Sequence, residues 1–159
     1  MRYLFVPALS AFIAGMAISP RLFAAEPAVS GVFTGDGKAA KMAFLSARKG
    51  EPFSDKETIV LIFSEKDHSK DKRPDFKAAF CEFGSALIIT VLTEDGSIIG
   101  CQVAHTAHKQ KPFNSIGKIT MSDFKIADGQ VQGKLSTDGK VETFEQTWAV
   151  DLKFRTKAP

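Results

Sequence analysis

The residues best suited to chemistry are few and lie close together. The segment Cys101-Gln102-Val103-Ala104-His105-Thr106-Ala107-His108 is the sharpest polar feature of the chain. Cys101 and His105 share strand parity and His108 follows just beyond, so a thiolate and two imidazoles could hold a soft metal such as zinc or copper. Such sites normally show tighter pairs, C-x-x-C or H-x-x-x-H, and the spacing here suits a helix better than a strand. The alternative is that His105 ends a buried strand and His108 is solvated. His68 is the one other imidazole in the sequence. Cys81 and Cys101 are the only cysteines, and in an exported chain they would meet conditions in which disulfides form. A bridge would add about 3 kcal/mol of stability by the chain-entropy argument. The alternative is two free thiols, Cys101 serving as a small buried hydrophobe.

A second polar feature is the run from Ser64 to Pro74, where Glu65, Asp67 and Asp71 alternate with Lys66, Lys70, Lys72 and Arg73 around His68. Runs of mixed sign are commonly solvated loops. The functional alternative is a partner-binding loop of His68, Lys70, Lys72 and Arg73. It would work beside a second loop of His105, His108, Lys109, Lys111 and Phe113 if the fold brings the two to one end. No Ser or Cys stands in a nucleophile-elbow motif, since Phe83-Gly84-Ser85-Ala86 lacks the G-x-S-x-G pattern. No residue is assigned a catalytic role, no cofactor is expected, and the chain reads as a non-enzyme.

These groups must be positioned by a mostly β scaffold. Gly35-Asp36-Gly37, Gly50-Glu51-Pro52, Glu94-Asp95-Gly96, Asp128-Gly129 and Asp138-Gly139 each separate stretches rich in Val, Ile, Phe and Thr. That is the pattern of successive hairpins. About eight antiparallel strands are expected, near 30–34, 38–47, 57–65, 85–93, 97–105, 115–126, 130–137 and 140–155, closing into a barrel or a two-sheet sandwich. In the final strand Phe144, Gln146, Trp148, Val150, Leu152 and Phe154 share a face, opposite Glu145, Thr147, Asp151, Lys153 and Arg155. The runs 59–63 and 86–92 do not alternate, so both of their faces should be covered. A change of phase between Met121 and Phe124 predicts a bulge near Ser122 or Asp123. One short helix is expected over 74–83, opened by Pro74 and Asp75, with Phe76, Ala79, Phe80 and Phe83 as its apolar stripe and Gly84 as its stop.

The chain has 159 residues. Met1 and Arg2, the apolar run from Tyr3 to Ile18, Pro20 and the pair Ala24-Ala25 have the order of a secretory signal. The expected organisation is a signal peptide over 1–25 and a single β domain over 26–159, exported, and periplasmic where the envelope has two membranes. The run is shorter than the roughly 20 apolar residues of a spanning helix, and no later segment is long enough to cross a bilayer. Removing Arg2 and Arg21 lowers the formal charge from +3 to +1. Nucleic acid is therefore not an expected partner, because phosphate binding needs a clustered excess of cations. Eleven of the fourteen phenylalanines lie beyond residue 25, against one tryptophan, Trp148. This usage describes a core better than a sugar-binding surface.

The stretches Gly31-Val32-Phe33-Thr34-Gly35-Asp36-Gly37-Lys38, Gly133-Lys134-Leu135-Ser136-Thr137 and Trp148-Ala149-Val150-Asp151-Leu152-Lys153-Phe154 resemble those of a family of small exported bacterial β-proteins of uncharacterised role. The resemblance implies the fold and the compartment and carries over no site residue. The leading functional expectation is a binding protein that recognises another protein through loops at one end of its sheet, in the manner of an inhibitor or immunity protein. The alternatives are a carrier of a small apolar ligand within a barrel and a metal-handling protein. For the carrier, the opposing reading is that Met42, Phe44, Phe63, Met121 and Trp148 simply fill the interior.

Overall fold

The computed structural model describes residues 28–159, so the signal expected over 1–25 lies outside the described residues. Among the described residues eleven strands form two antiparallel sheets. Sheet A contains β1 (Val29–Gly35), β2 (Lys38–Ala40), β8 (Thr120–Ala127), β9 (Gln130–Ser136), β10 (Val141–Thr143) and β11 (Gln146–Lys157). Its order is β2-β1-β11-β9-β8, with β10 also on β11. Sheet B contains β3 (Phe44–Lys49), β4 (Thr58–Ser64), β5 (Ala86–Leu92), β6 (Ile98–Ala104) and β7 (Phe113–Asn114), in that order, with α1 (Pro74–Ala79) between β4 and β5. The sheets do not close, so the fold is a sandwich and not a barrel.

The inner faces share one core, in which Phe33, Leu61, Phe63, Leu87, Ile89, Leu135, Trp148 and Leu152 are essentially sealed. Phe63 and Phe154 meet edge-on across it at 5.4 Å. The outer face of sheet B packs a second, smaller cluster of Ile62, Ala86, Ile88 and Ala104 beneath Ala78 and Ala79 of α1. That double covering is why β4 and β5 show no polar alternation.

Hairpin chemistry behaves as expected. The pairs Asp36-Gly37, Asp128-Gly129 and Asp138-Gly139 all adopt positive φ, which Asp and Gly tolerate best. The bulge is present, with the β8–β9 register shifting between Ser122 and Lys125 and Asp123 at φ 53°.

Two expected strands are instead broken. The stretch 38–47 supplies β2 to sheet A and β3 to sheet B, crossing between the sheets at 41–43. The stretch 140–155 is a hairpin of β10 and β11, because Phe144 and Glu145 both adopt positive φ and reverse the chain. Phe144 is therefore 64% exposed rather than part of the inward face, and Phe44 is also exposed.

The helix is shorter and rotated relative to expectation. It buries Pro74, Ala78 and Ala79 and leaves Phe76 and Phe80 exposed. Small side chains let the helix backbone lie close to the sheet, whereas a pair of phenyl rings would hold it away. Cys81, at φ 59°, ends the helix in place of Gly84; its N–H bonds Ala78 O and the Glu82 N–H bonds Lys77 O.

The two cysteines are free. Cys101 faces the main core, while Cys81 packs with the cluster under the helix, so the two lie on opposite faces of sheet B. Burial raises both thiol pKa values, that of Cys101 to about 12. Alkylation of the folded protein should modify Cys81 slowly and Cys101 only after unfolding, with the intact mass showing both thiol hydrogens. A mass lower by two hydrogens would contradict this arrangement.

Candidate functional site

The two polar loops do leave the same end of the sandwich. Ser64, Ala86 and Ala104 are in register across β4, β5 and β6, so residues 65–73 and 105–112 emerge side by side. They are tied together: Glu65 Oε2 accepts from the Ser85 N–H at 2.6 Å, and the Thr106 N–H donates to Ser85 Oγ at 3.1 Å. Sheet A contributes the same end. Gln146 accepts from the Gln110 N–H at 2.8 Å and donates to Gln110 O at 3.0 Å.

Lys70, Lys72, Arg73 and Lys109 are exposed, as a recognition surface requires. The histidines are not. His68, His105 and His108 are only 2–3% exposed, which corrects the solvated placement of His108 and the open-loop placement of His68.

The proton positions around His68 follow from its partners. Ser64 Oγ donates to Lys66 O at 2.7 Å, because a carbonyl can only accept. Ser64 Oγ must then accept from His68 Nδ1–H, 2.6 Å away. His68 Nε2 is left with its lone pair, and the Ser46 hydroxyl donates to it at 2.8 Å. Ser46 sits on β3, half-buried, on the outer face of sheet B. Burial lowers the His68 pKa more than neighbouring Asp67 raises it, and the Arg48 guanidinium lowers it further. Arg48 itself holds the loop, donating to Asp71 O at 3.1 Å and Lys72 O at 3.3 Å.

His105 and His108 close the mouth of the core, their rings 5.3 Å apart, with Phe33 edge-on to His105 at 5.1 Å and Phe113 against His108 at 5.4 Å. The Ala107 N–H donates to His105 Nδ1 at 3.1 Å, so the ring proton of neutral His105 is on Nε2. His108 Nε2 lies 3.0 Å from Thr147 O and must carry a proton. The remaining nitrogens, His105 Nε2 and His108 Nδ1, are buried with no protein partner. Desolvation, reinforced by His108, lowers the His105 pKa against the opposing pull of Glu65 and Asp36. Gly35 makes this packing possible, since a Cβ there would lie 2.6 Å from His105 Nδ1 and 2.7 Å from His108 Nε2.

The candidate trio of Cys101, His105 and His108 does not gather into a metal-holding cluster. Among the described residues no three His, Cys, Asp or Glu side chains gather in a way that could hold an ion. Its polarity also opposes one, because His105 offers the core an N–H rather than a lone pair. The outward-facing Phe76 and Phe80 and the Ser46–His68–Ser64 chain were missed in the sequence: the former because helical spacing alone does not say which face is buried, the latter because its members lie on separate elements.

Fold and site together define an antiparallel β sandwich with a stiffened, cation-bearing loop end. Comparison with family models, with curated proteins and with solved structures gave no match.

Proposed function

We propose that this chain is an exported binding protein that recognises another protein, in the manner of an inhibitor or immunity protein, through α1 and the two loops beside it. The observation that carries this reading is the outward turn of the helix phenylalanines. Phe76 and Phe80 are 50% and 56% exposed with ring centroids 5.0 Å apart, and the Arg73 guanidinium lies 4.6 Å from the Phe76 ring. Aromatic residues and Arg are the types that concentrate binding energy when an interface seals around them.

The platform is also held in shape before any partner arrives. Asp71 accepts from the Arg73 N–H at 2.9 Å and pairs with Lys77 at 2.7 Å, while Arg48 grips the loop backbone from β3. Such pre-organisation lowers the ordering cost of association. With Glu65 and Asp71 committed to internal partners, Lys66, Lys70, Lys72 and Arg73 face solvent against Asp67 alone on this loop. The complementary partner is a protein presenting an apolar recess with an acidic rim.

Capture from the native compartment with a C-terminally tagged chain tests this directly. The wild type should retain a specific protein that the F76A/F80A variant loses by at least tenfold, while the melting temperature stays within a few degrees because both rings are exposed. Lys70, Lys72 and Arg73 changed together to Ala should weaken capture and remove most of its salt dependence. Equal recovery by wild type and F76A/F80A, or no specific protein on the wild type, would overturn the reading.

A further inference from the structure

We infer that Ser46 is a histidine-activated nucleophile, its hydroxyl proton directed to His68 Nε2 by the relay Ser46–His68–Ser64–Lys66 O, and that it takes the acyl group of small carboxylic esters. This goes beyond the recognition reading and rests on different residues.

The bond directions admit a single assignment. Lys66 O fixes the Ser64 proton, Ser64 fixes the His68 tautomer, and that tautomer leaves the basic nitrogen 2.8 Å from Ser46 Oγ. A nucleophile bonded to a base, with the base oriented by a third group, is the arrangement that activates serine. Here a hydroxyl, itself anchored to a carbonyl, takes the place of the usual carboxylate. His68 is sealed and stays neutral at neutral pH, as a general base must. Ser46 is only half-buried and stands on β3, the edge strand of sheet B, where a reagent can approach. Arg48, two residues further along the same face, is bonded to Asp71 O and Lys72 O and so closes the loop over this end of β3.

The step balances without a cofactor. Ser46 Oγ bonds to the acyl carbon as its proton passes to His68 Nε2. The carbon–oxygen bond to the alcohol breaks, and the departing oxygen takes that proton. Water then attacks the acyl-serine through the same imidazole, releasing the carboxylic acid and restoring the hydroxyl.

A fluorophosphonate probe reads the first half of this chemistry. Ser46 Oγ bonds to phosphorus, fluoride leaves, and the proton exits through His68. At pH 8 the wild type should gain one adduct, mapped by peptide mass to Ser46 and abolished in S46A. S64A, which unties His68 Nδ1–H, should label at least tenfold more slowly. The labelling rate should fall as the pH drops through the ionisation of His68, below the ordinary histidine value. p-Nitrophenyl acetate should give a burst of one nitrophenolate per chain. A wild type that gains no adduct, an adduct mapped to another residue, or equal rates in wild type and S64A would each overturn the inference and leave the relay as an anchor for the loop alone.

Discussion

Replacing Gly35 by Ala is expected to destabilise the protein by about 3 kcal/mol, at the upper end of the cost of overfilling a packed interior. Gly35 pairs with Trp148 on β11 and with Lys38 on β2, and the space over its Cα is occupied by two imidazoles. A methyl group there cannot be met by moving one flexible tip. His105 is held between Phe33 and the Ala107 N–H, and His108 between Phe113 and Thr147 O. Thermal unfolding should show a fall of roughly 10 °C for a domain of this size. The second-site change His105→Ala, which removes the nearer ring, should recover part of the loss. The double variant should therefore be more stable than the sum of the single effects allows. Additive losses would show that the two residues are not in conflict and that the mouth of the core is packed otherwise.

The second large effect is acid sensitivity in a window set by histidines. Burial lowers the pKa of His68 and of His105, so each takes up a proton near pH 6.5 when unfolded and only at lower pH when folded. Between those values the unfolded chain holds more protons. The contribution is therefore complete above about pH 6.5 and is lost as the pH falls towards the folded values. Each histidine gives a slope of at most about 1.4 kcal/mol per pH unit. Chemical denaturation should show the pH 5.5 sample weaker than the pH 7.5 sample, by no more than the roughly 3 kcal/mol that two such slopes allow over the unit below pH 6.5. The turn carboxylates Asp36, Asp67 and Asp95 are held below their usual range chiefly by backbone N–H groups, so their loss falls in a separate window below about pH 4. The paired change H68Q/H105Q should flatten the upper window and leave the lower one. A wild type equally stable at both pH values would show that these imidazoles do not resist protonation.

Local chemistry made much of the fold legible. The Asp-Gly pairs, the alternation from Gln146 to Phe154 and the change of phase at Ser122–Asp123 each report on a few neighbouring residues, and each is where expected. What failed depended on distant partners. Nothing near Lys41 announces that β2 and β3 belong to different sheets, because a corner between sheets needs no Gly or Pro. The Phe76 and Phe80 stripe has sound helical spacing, yet Ala78 and Ala79 take the buried side because the outer face of sheet B admits only a closely laid backbone.

The site was half visible. His68, His105, His108 and the loop cations were singled out, and the fold gathers them at one end. The sequence places His105 at the end of a buried strand, but does not show the burial of His68 and His108, which depends on partners such as Ser46 and Thr147 O that lie far away or in the backbone. The serine relay spans β3, β4 and the following loop, and no spacing rule links its members.

The position of β11 sets when this chain can fold. It is the middle strand of sheet A, bonded to β1 on one side and β9 on the other, and Val29 at the start of β1 meets Phe154. Sheet A therefore has no centre until Gln146–Lys157 has left the ribosome, and closing that distance is the slow kind of pairing. Until then β1 has only the three-residue β2 beside it, which is too little to hold a sheet. Sheet A thus assembles after the consecutive strands of sheet B, which need no partner from β11 to pair with one another.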